Sequence, residues 1–198
     1  HGDKETAQQY LSQVKDSKYY GKKAAYYLGY IAYDADDYQQ ANQFFQQVEQ
    51  EKELSKNLSY YQADMNFKQG NFQKALEEGL HQLEKTNNPQ YRSEINKIIG
   101  ESYFNLKQYT KAIPYLEAYK GKNGTYTDTD LYYLGFAYYQ QGDYQKAIGQ
   151  FNRIINGKNQ VAQNAYYHLA QCYLKTGQKQ QALNAFRNAY QMNFSSEI

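Results

Sequence analysis

The sequence predicts an all-α fold, a right-handed α-solenoid of stacked antiparallel helix pairs. Three observations point there. A short motif recurs every 34–37 residues along the 198-residue chain. Between recurrences the apolar residues follow a helical period. The composition suits a thin core under much surface: hydrophobic content is 41%, with 25 Tyr and no Trp, yet mean hydropathy is −0.99. Tyrosine reconciles those figures, because it buries a ring while its hydroxyl still needs water or a partner.

The recurrence has two landmarks. "GDYQKA" ending at Ala147 returns as "GDKETA" at Ala7, "DDYQQA" at Ala41, "GNFQKA" at Ala75, "KQYTKA" at Ala112 and "GQKQQA" at Ala182. A small residue before each turn keeps the same phase: Gly29, Ala63, Gly100, Gly135 and Ala170. Repeats of this length mark stacked supersecondary units, none of which can bury its apolar face alone. We therefore expect residues 1–198 to form a single array.

Each element then has its reason. Residues 2–17 match only the second helix of a unit, with Ala7, Leu11 and Val14 on one face. Five full units follow at 22–55, 56–90, 93–126, 128–161 and 163–196, giving eleven expected helices. The unit 128–161 shows the logic best. Leu131, Leu134, Gly135 and Tyr138 fall on one helical face, and "QQGD" ends that helix, with Gly142 suited to a left-handed terminus. Tyr144, Ala147, Ile148, Phe151, Ile154 and Ile155 continue as the second helix. Gly135 and Ala147 let backbones approach, and the aromatic side chains fill the space between pairs.

The unit 56–90 departs from this pattern. Gln62 stands where Leu is expected, Asn66 replaces Tyr, and Gly79 replaces Phe. A mid-helix Gly costs about 1 kcal/mol relative to Ala, so this unit should be folded, closed by Leu76, Leu80 and Leu83, and softer than its neighbours. Residues 193–198 stop where another unit would begin, and neither end carries a polar capping helix. Solenoids generally need such caps, so the chain reads as a piece of a longer array.

Leu134, Gly135, Tyr138, Gly142, Tyr144, Ala147 and Phe151 together resemble the tetratricopeptide repeat, and the resemblance runs through nearly the whole chain. The looser spacings are similar to those of bacterial cell-envelope members. That implies a periplasmic or envelope location while leaving the cytoplasm open. The resemblance also implies that first helices line a groove, at the positions of Thr129, Tyr132, Phe136 and Tyr139. The equivalents are Lys23, Tyr26, Tyr30 and Tyr33, then Asn57, Tyr60, Asp64 and Phe67. Glu94, Lys97, Glu101 and Phe104 follow, and finally Asn164, Tyr167, Gln171 and Leu174. Tyr26, Tyr60, Tyr132 and Tyr167 occupy one equivalent position. Members that clamp a C-terminal carboxylate use Lys and Asn here; Lys97 matches, but Glu101 stands where the Asn is expected.

Little in the sequence points to catalysis. His81 lies in the polar run "EEGLHQLEK", His168 reads as a packed position beside Leu169, and Cys172 reads as an inert core thiol. No metal-ligand, nucleophile-elbow or phosphate-loop motif occurs, and no cofactor is implied. Charge is nearly balanced, 22 Lys+Arg against 20 Asp+Glu, which offers no basic footprint for nucleic acid. The longest apolar run, Leu131 to Tyr139, is nine residues, too short for direct membrane insertion. The reading is a non-enzymatic scaffold that binds a protein or peptide partner on tyrosine-rich first helices; a glycan-binding surface is the alternative. The expected anchors are Tyr26, Tyr30 and Tyr33 in one patch and Tyr132, Phe136 and Tyr139 in another. Charged Lys97 and Glu101 should set register, and Tyr60 and Tyr167 should extend the row.

Overall fold

A computed structural model of the chain describes residues 3–194. Among the described residues there are eleven α-helices and one 3-10 turn, and β-structure is limited to an isolated bridge between Lys122 and Thr125. None of the helices is long and apolar enough to cross a membrane. The chain divides into two compact units, His1–Lys85 and Thr86–Ile198.

The first unit holds α1 (Lys4–Val14), α2 (Gly21–Asp34), α3 (Tyr38–Gln46), the 3-10 turn Ser55–Asn57, α4 (Leu58–Lys68) and α5 (Phe72–Lys85). The second holds α6 (Pro89–Asn105), α7 (Tyr109–Ala118), α8 (Asp128–Gln141), α9 (Tyr144–Phe151), α10 (Gln160–Lys175) and α11 (Lys179–Met192). Helices pack in sequential pairs, α2 with α3, α4 with α5, α6 with α7, α8 with α9 and α10 with α11. In the second unit the first helices are also neighbours, α6 touching α8 and α8 touching α10.

The helix starts are written in the sequence. Thr127 and Asp130 form a reciprocal cap on α8, each side chain bonding the other's backbone N–H. Asp37, Asp143 and Asn159 accept from the first-turn amides of α3, α9 and α10. Asn88 does so for α6, where Pro89 occupies the first turn at no hydrogen-bonding cost.

The tight turns share one geometry. Asp36, Gly70, Lys107, Gly142 and Gly177 all take positive φ, between 59° and 86°. The following amide then donates five residues back in every case: Asp37 to Ala32, Asn71 to Asn66, Gln108 to Tyr103, Asp143 to Tyr138 and Gln178 to Tyr173, at 2.8–3.0 Å. This closes each first helix with a left-handed terminus. Three turns use Gly; Asp36 and Lys107 accept the strain that Gly avoids.

The two small-residue landmarks are packing requirements. Ala41, Ala75, Ala112 and Ala147 are fully enclosed, and Ala182 nearly so. A Cβ at Gly29 would stand 2.7 Å from the Phe45 ring, and one at Gly135 would stand 2.8 Å from the Phe151 ring. These two pairs, α2–α3 and α8–α9, therefore close with a second-helix Phe pressed against a first-helix Gly. The first unit's core gathers Ala25, Ala32, Ala41, Phe45, Val48, Leu58, Tyr61 and Met65. The larger core of the second runs from Ala112 to Ala185 through Leu116, Tyr138, Phe151 and Leu169.

Three sequence expectations meet a modified reality. The second helix of 128–161, expected to run through Ile154 and Ile155, ends at Phe151, and those two residues lie in the turns that follow. The apolar stripe of α1 is thin, since Leu11 is half-buried and Ala7 and Val14 are exposed. That helix packs chiefly against α2, and one main neighbour cannot cover a full stripe. In 56–90, Leu76 is buried while Leu80 and Leu83 are half-buried. Gly79 and Gln82 are enclosed there too, and the Gln82 amide donates to the Lys56 carbonyl at 2.8 Å. A polar amide thus closes the pair where other units use apolar volume.

Candidate functional site

The positions expected to line a groove lie three or four residues apart on a first helix, so one face carries them all. On α2 that face holds Tyr26, Tyr30 and Tyr33, and on α4 it holds Tyr60 and Asp64. Tyr30 is 42% exposed; Tyr26, Tyr33 and Tyr60 are half-buried. Their rings converge on Tyr61, which lies 5.8 Å from Tyr30, 5.0 Å from Tyr33 and 5.5 Å from Tyr60 by ring centroid, and stacks on Phe45 at 5.5 Å. Tyr26 leans on Phe45 at 6.2 Å.

Charges lace this face together. The Tyr33 hydroxyl donates to Asp64 Oδ2 at 2.6 Å, and Lys68 Nζ meets the same oxygen at 3.0 Å while lying 5.2 Å over the Tyr33 ring. Burial and then the Asp64 bond push the Tyr33 phenol far above its ordinary value. For Lys68, burial works against the charge, but Asp64, Tyr38 and Asp36 outweigh it and raise the pKa.

The second unit repeats the construction with different chemistry. Tyr132, Phe136 and Tyr139 form a row on α8, with ring centroids 5.9 and 6.0 Å apart. Here the rings converge on His168 of α10. Phe136 meets it edge-on at 4.9 Å, Tyr139 at 5.3 Å, Tyr167 at 5.3 Å, Tyr132 at 6.0 Å and Phe151 stacked at 6.1 Å. His168 Nδ1 stands 3.0 Å from Gln171 Oε1. Burial pushes the imidazole pKa down, against a smaller raising effect of the Gln171 bond. Burial also pushes the Tyr132 phenol up to about 12. Unlike Tyr33, the hydroxyls of Tyr132, Tyr139 and Tyr167 make no hydrogen bond among the described residues.

Lys97 and Glu101 of α6 lie in this unit but turn to a neighbouring network. Lys97 Nζ meets Asp130 Oδ1 at 2.6 Å and Glu101 Oε1 at 3.7 Å, and sits 5.0 Å over the Tyr119 ring. Burial disfavours the ammonium, yet Asp130 and Glu101 more than restore it, so its pKa rises. Glu101 and Asp130 are only 6% and 7% exposed. They line a small cavity of about 70 Å³ with Tyr119, Tyr126 and Arg153. No group of three or more metal-ligating side chains assembles among the described residues. Cys172 is fully buried, and burial pushes its thiol up to about 12.

Sequence reasoning placed the row of rings and missed its hubs. Tyr61 and His168 each stand just ahead of a small landmark, at Ala63 and Ala170. The same position holds Tyr133, whose ring meets Phe104 of the preceding pair at 4.4 Å. A first helix presents this position sideways, toward the first helix before it. That lateral role was available from helical spacing alone.

Comparison with known proteins supports the same architecture. A tetratricopeptide-repeat family model matches residues 23–51, and the model described as anaphase-promoting complex, cyclosome, subunit 3 matches residues 105–189. The solved structure of YrrB, described as a TPR protein with an unusual peptide-binding site, superposes with a TM-score of 0.77 at 13% identity, covering 94% of each chain. The chain has the fold of tetratricopeptide-repeat proteins. Two MamA structures share the fold of this repeat protein. That of AMB-1 has a TM-score of 0.73 at 19% identity over 89% of this chain and 94% of its own. That of MSR-1 has 0.70 at 18% over 88% and 97%. No curated protein matches the chain's sequence closely enough to count as a relative.

Proposed function

We propose that this repeat protein is a scaffold that acts by binding rather than catalysis, and that it grips an extended peptide or partner segment on its aromatic first-helix faces. The observation that carries the reading is the row Tyr132, Phe136 and Tyr139 with Tyr167. These are four partly exposed rings, and the three phenols among them have no hydrogen-bond partner in the described protein. Tyr rings offer large contact area at low entropic cost, and their hydroxyls can answer peptide carbonyls. Tyr26, Tyr30, Tyr33 and Tyr60 form a second patch in the first unit. Lys97 and Glu101 act on register through the internal network around Asp130, not as direct anchors. YrrB, a repeat protein of similar fold described by its peptide-binding site, lends the reading support.

Display selection on the full chain tests it. Peptides recovered at neutral pH should slow exchange of α8 and α10 amides and change the ring signals of Tyr132, Tyr139 and Tyr167. Recovery of oligosaccharides from a glycan array, with no peptide binding, would turn the assignment to the glycan alternative.

A further inference from the structure

The residue two before the small landmark is Tyr61 in the first unit and His168 in the second, and four rings around each stand at equivalent repeat positions. Tyr30, Tyr33, Phe45 and Tyr60 surround Tyr61. Phe136, Tyr139, Phe151 and Tyr167, at the equivalent repeat positions, surround His168. One cage is built around a phenol and the other around an imidazole. We propose that His168 makes the α8–α10 face an acid-sensitive binding face, which grips its partner only while the imidazole is neutral. This rests on the binding face proposed above.

The geometry explains the sign. With Gln171 Oε1 as acceptor, Nδ1 carries the proton of the neutral ring, so acid adds its proton at Nε2. The titratable groups facing the ring are phenols, Tyr132 and Tyr139 of α8 and Tyr167 of α10. From α9 comes Phe151, and α11 supplies Phe186 behind Tyr167. No carboxylate stands among these neighbours to pair with an imidazolium. Aromatic faces offset part of the cost of a buried cation, but loss of water is the larger effect, and it holds the pKa below the ordinary 6.5. A partner lying over Tyr132, Phe136 and Tyr139 removes more of that water. The bound state therefore prefers the neutral ring more strongly than the free state does, and binding below the His168 pKa must expel a proton. Affinity then falls toward about tenfold per pH unit. Tyr61 has no proton to gain in that range, so the first unit's face lacks this response.

The test uses the full chain and a rhodamine-labelled peptide, selected by display at about pH 7.5 and dependent on Tyr132. Its affinity is measured down to about pH 4.5 for the native protein and for His168→Tyr, which installs the hub the other cage already accepts. The native protein should lose affinity progressively, and His168→Tyr should show a flatter profile whatever its starting affinity. Identical profiles, or constant native affinity, would overturn the proposal. A ligand-free arm follows imidazole resonances by NMR. The signal absent from His168→Tyr should titrate below 6.5, with the Phe136 and Tyr139 ring signals shifting at the same midpoint. Titration at or above 6.5, with those rings unmoved, also overturns it. Should display yield no Tyr132-dependent peptide, the binding face itself fails, an outcome distinct from a pH-independent one.

Discussion

Tyr33 and Tyr139 occupy the same repeat position on α2 and α8, yet only one of them is tied down. Tyr33 donates to Asp64 of the next first helix and lies under Lys68. The residue equivalent to Asp64 is Gln171, and its oxygen faces His168 instead. So at this one position the ring is braced by charge in His1–Lys85 and left with an open phenol in Thr86–Ile198. The repeat fixes where a ring stands; the next repeat decides whether its hydroxyl is free. This is why the two faces should not be equal binders.

The largest expected effect tests whether the two cages are mechanically alike. Phe45 and Phe151 are both fully buried under their hubs, so Phe45→Ala and Phe151→Ala should each destabilise the protein by about 3–5 kcal/mol in chemical denaturation. A cost below about 1 kcal/mol for either would break the equivalence.

Next comes the contrast between α4–α5 and α8–α9. Burial of Gly79 and Gln82 replaces apolar volume worth about 1.5–3 kcal/mol per large side chain. Amides of α4 and α5 should therefore exchange faster than those of α8 and α9. Equal protection would remove the soft pair from the account.

A smaller effect separates the two tyrosines directly. Tyr33→Phe strips Asp64 of a donor, leaving Lys68, and should cost about 1 kcal/mol. Tyr139→Phe loses no protein hydrogen bond and should be near neutral in a thermal melt. If both cost the same, the hydroxyl bracing described for α2 is not what distinguishes the faces.

The smallest effect concerns the turns. Lys107 holds a φ of 59° where three of the other turns use Gly. Lys107→Gly should stabilise by up to about 1 kcal/mol, since a left-handed backbone penalises a Cβ. A lowered melting temperature would show that Lys107 contributes contacts worth more than the strain.

Much of this was legible in the sequence because it follows from hard contacts. Gly29 and Gly135 must be small where Phe45 and Phe151 press on them, and Gly142 must turn left-handed for Asp143 to reach Tyr138. The positions of Tyr132, Phe136 and Tyr139 follow from the same periodicity. The partners of those rings were harder to read. That Lys97 pairs with Asp130, or that five rings gather on His168, depends on which side chain the following unit brings alongside. A period of 34–37 residues says where that neighbour sits, but not which of several polar groups captures it. The exposed face of α1 was hidden for a related reason: an amphipathic pattern shows which side could be buried, and packing shows how much of it is.

The central claim is that the open phenol face of α8 and α10 binds, and Tyr132→Ala tests it most directly. Thermal melts and calorimetric titrations of a display-selected peptide should be run on matched samples of the native and substituted chains. Removing a central aromatic anchor typically costs about 2 kcal/mol or more, so affinity should fall roughly thirtyfold while helicity is retained. If the melting temperature drops instead and the folded fraction binds with native affinity, the rings serve only to pack one repeat on the next.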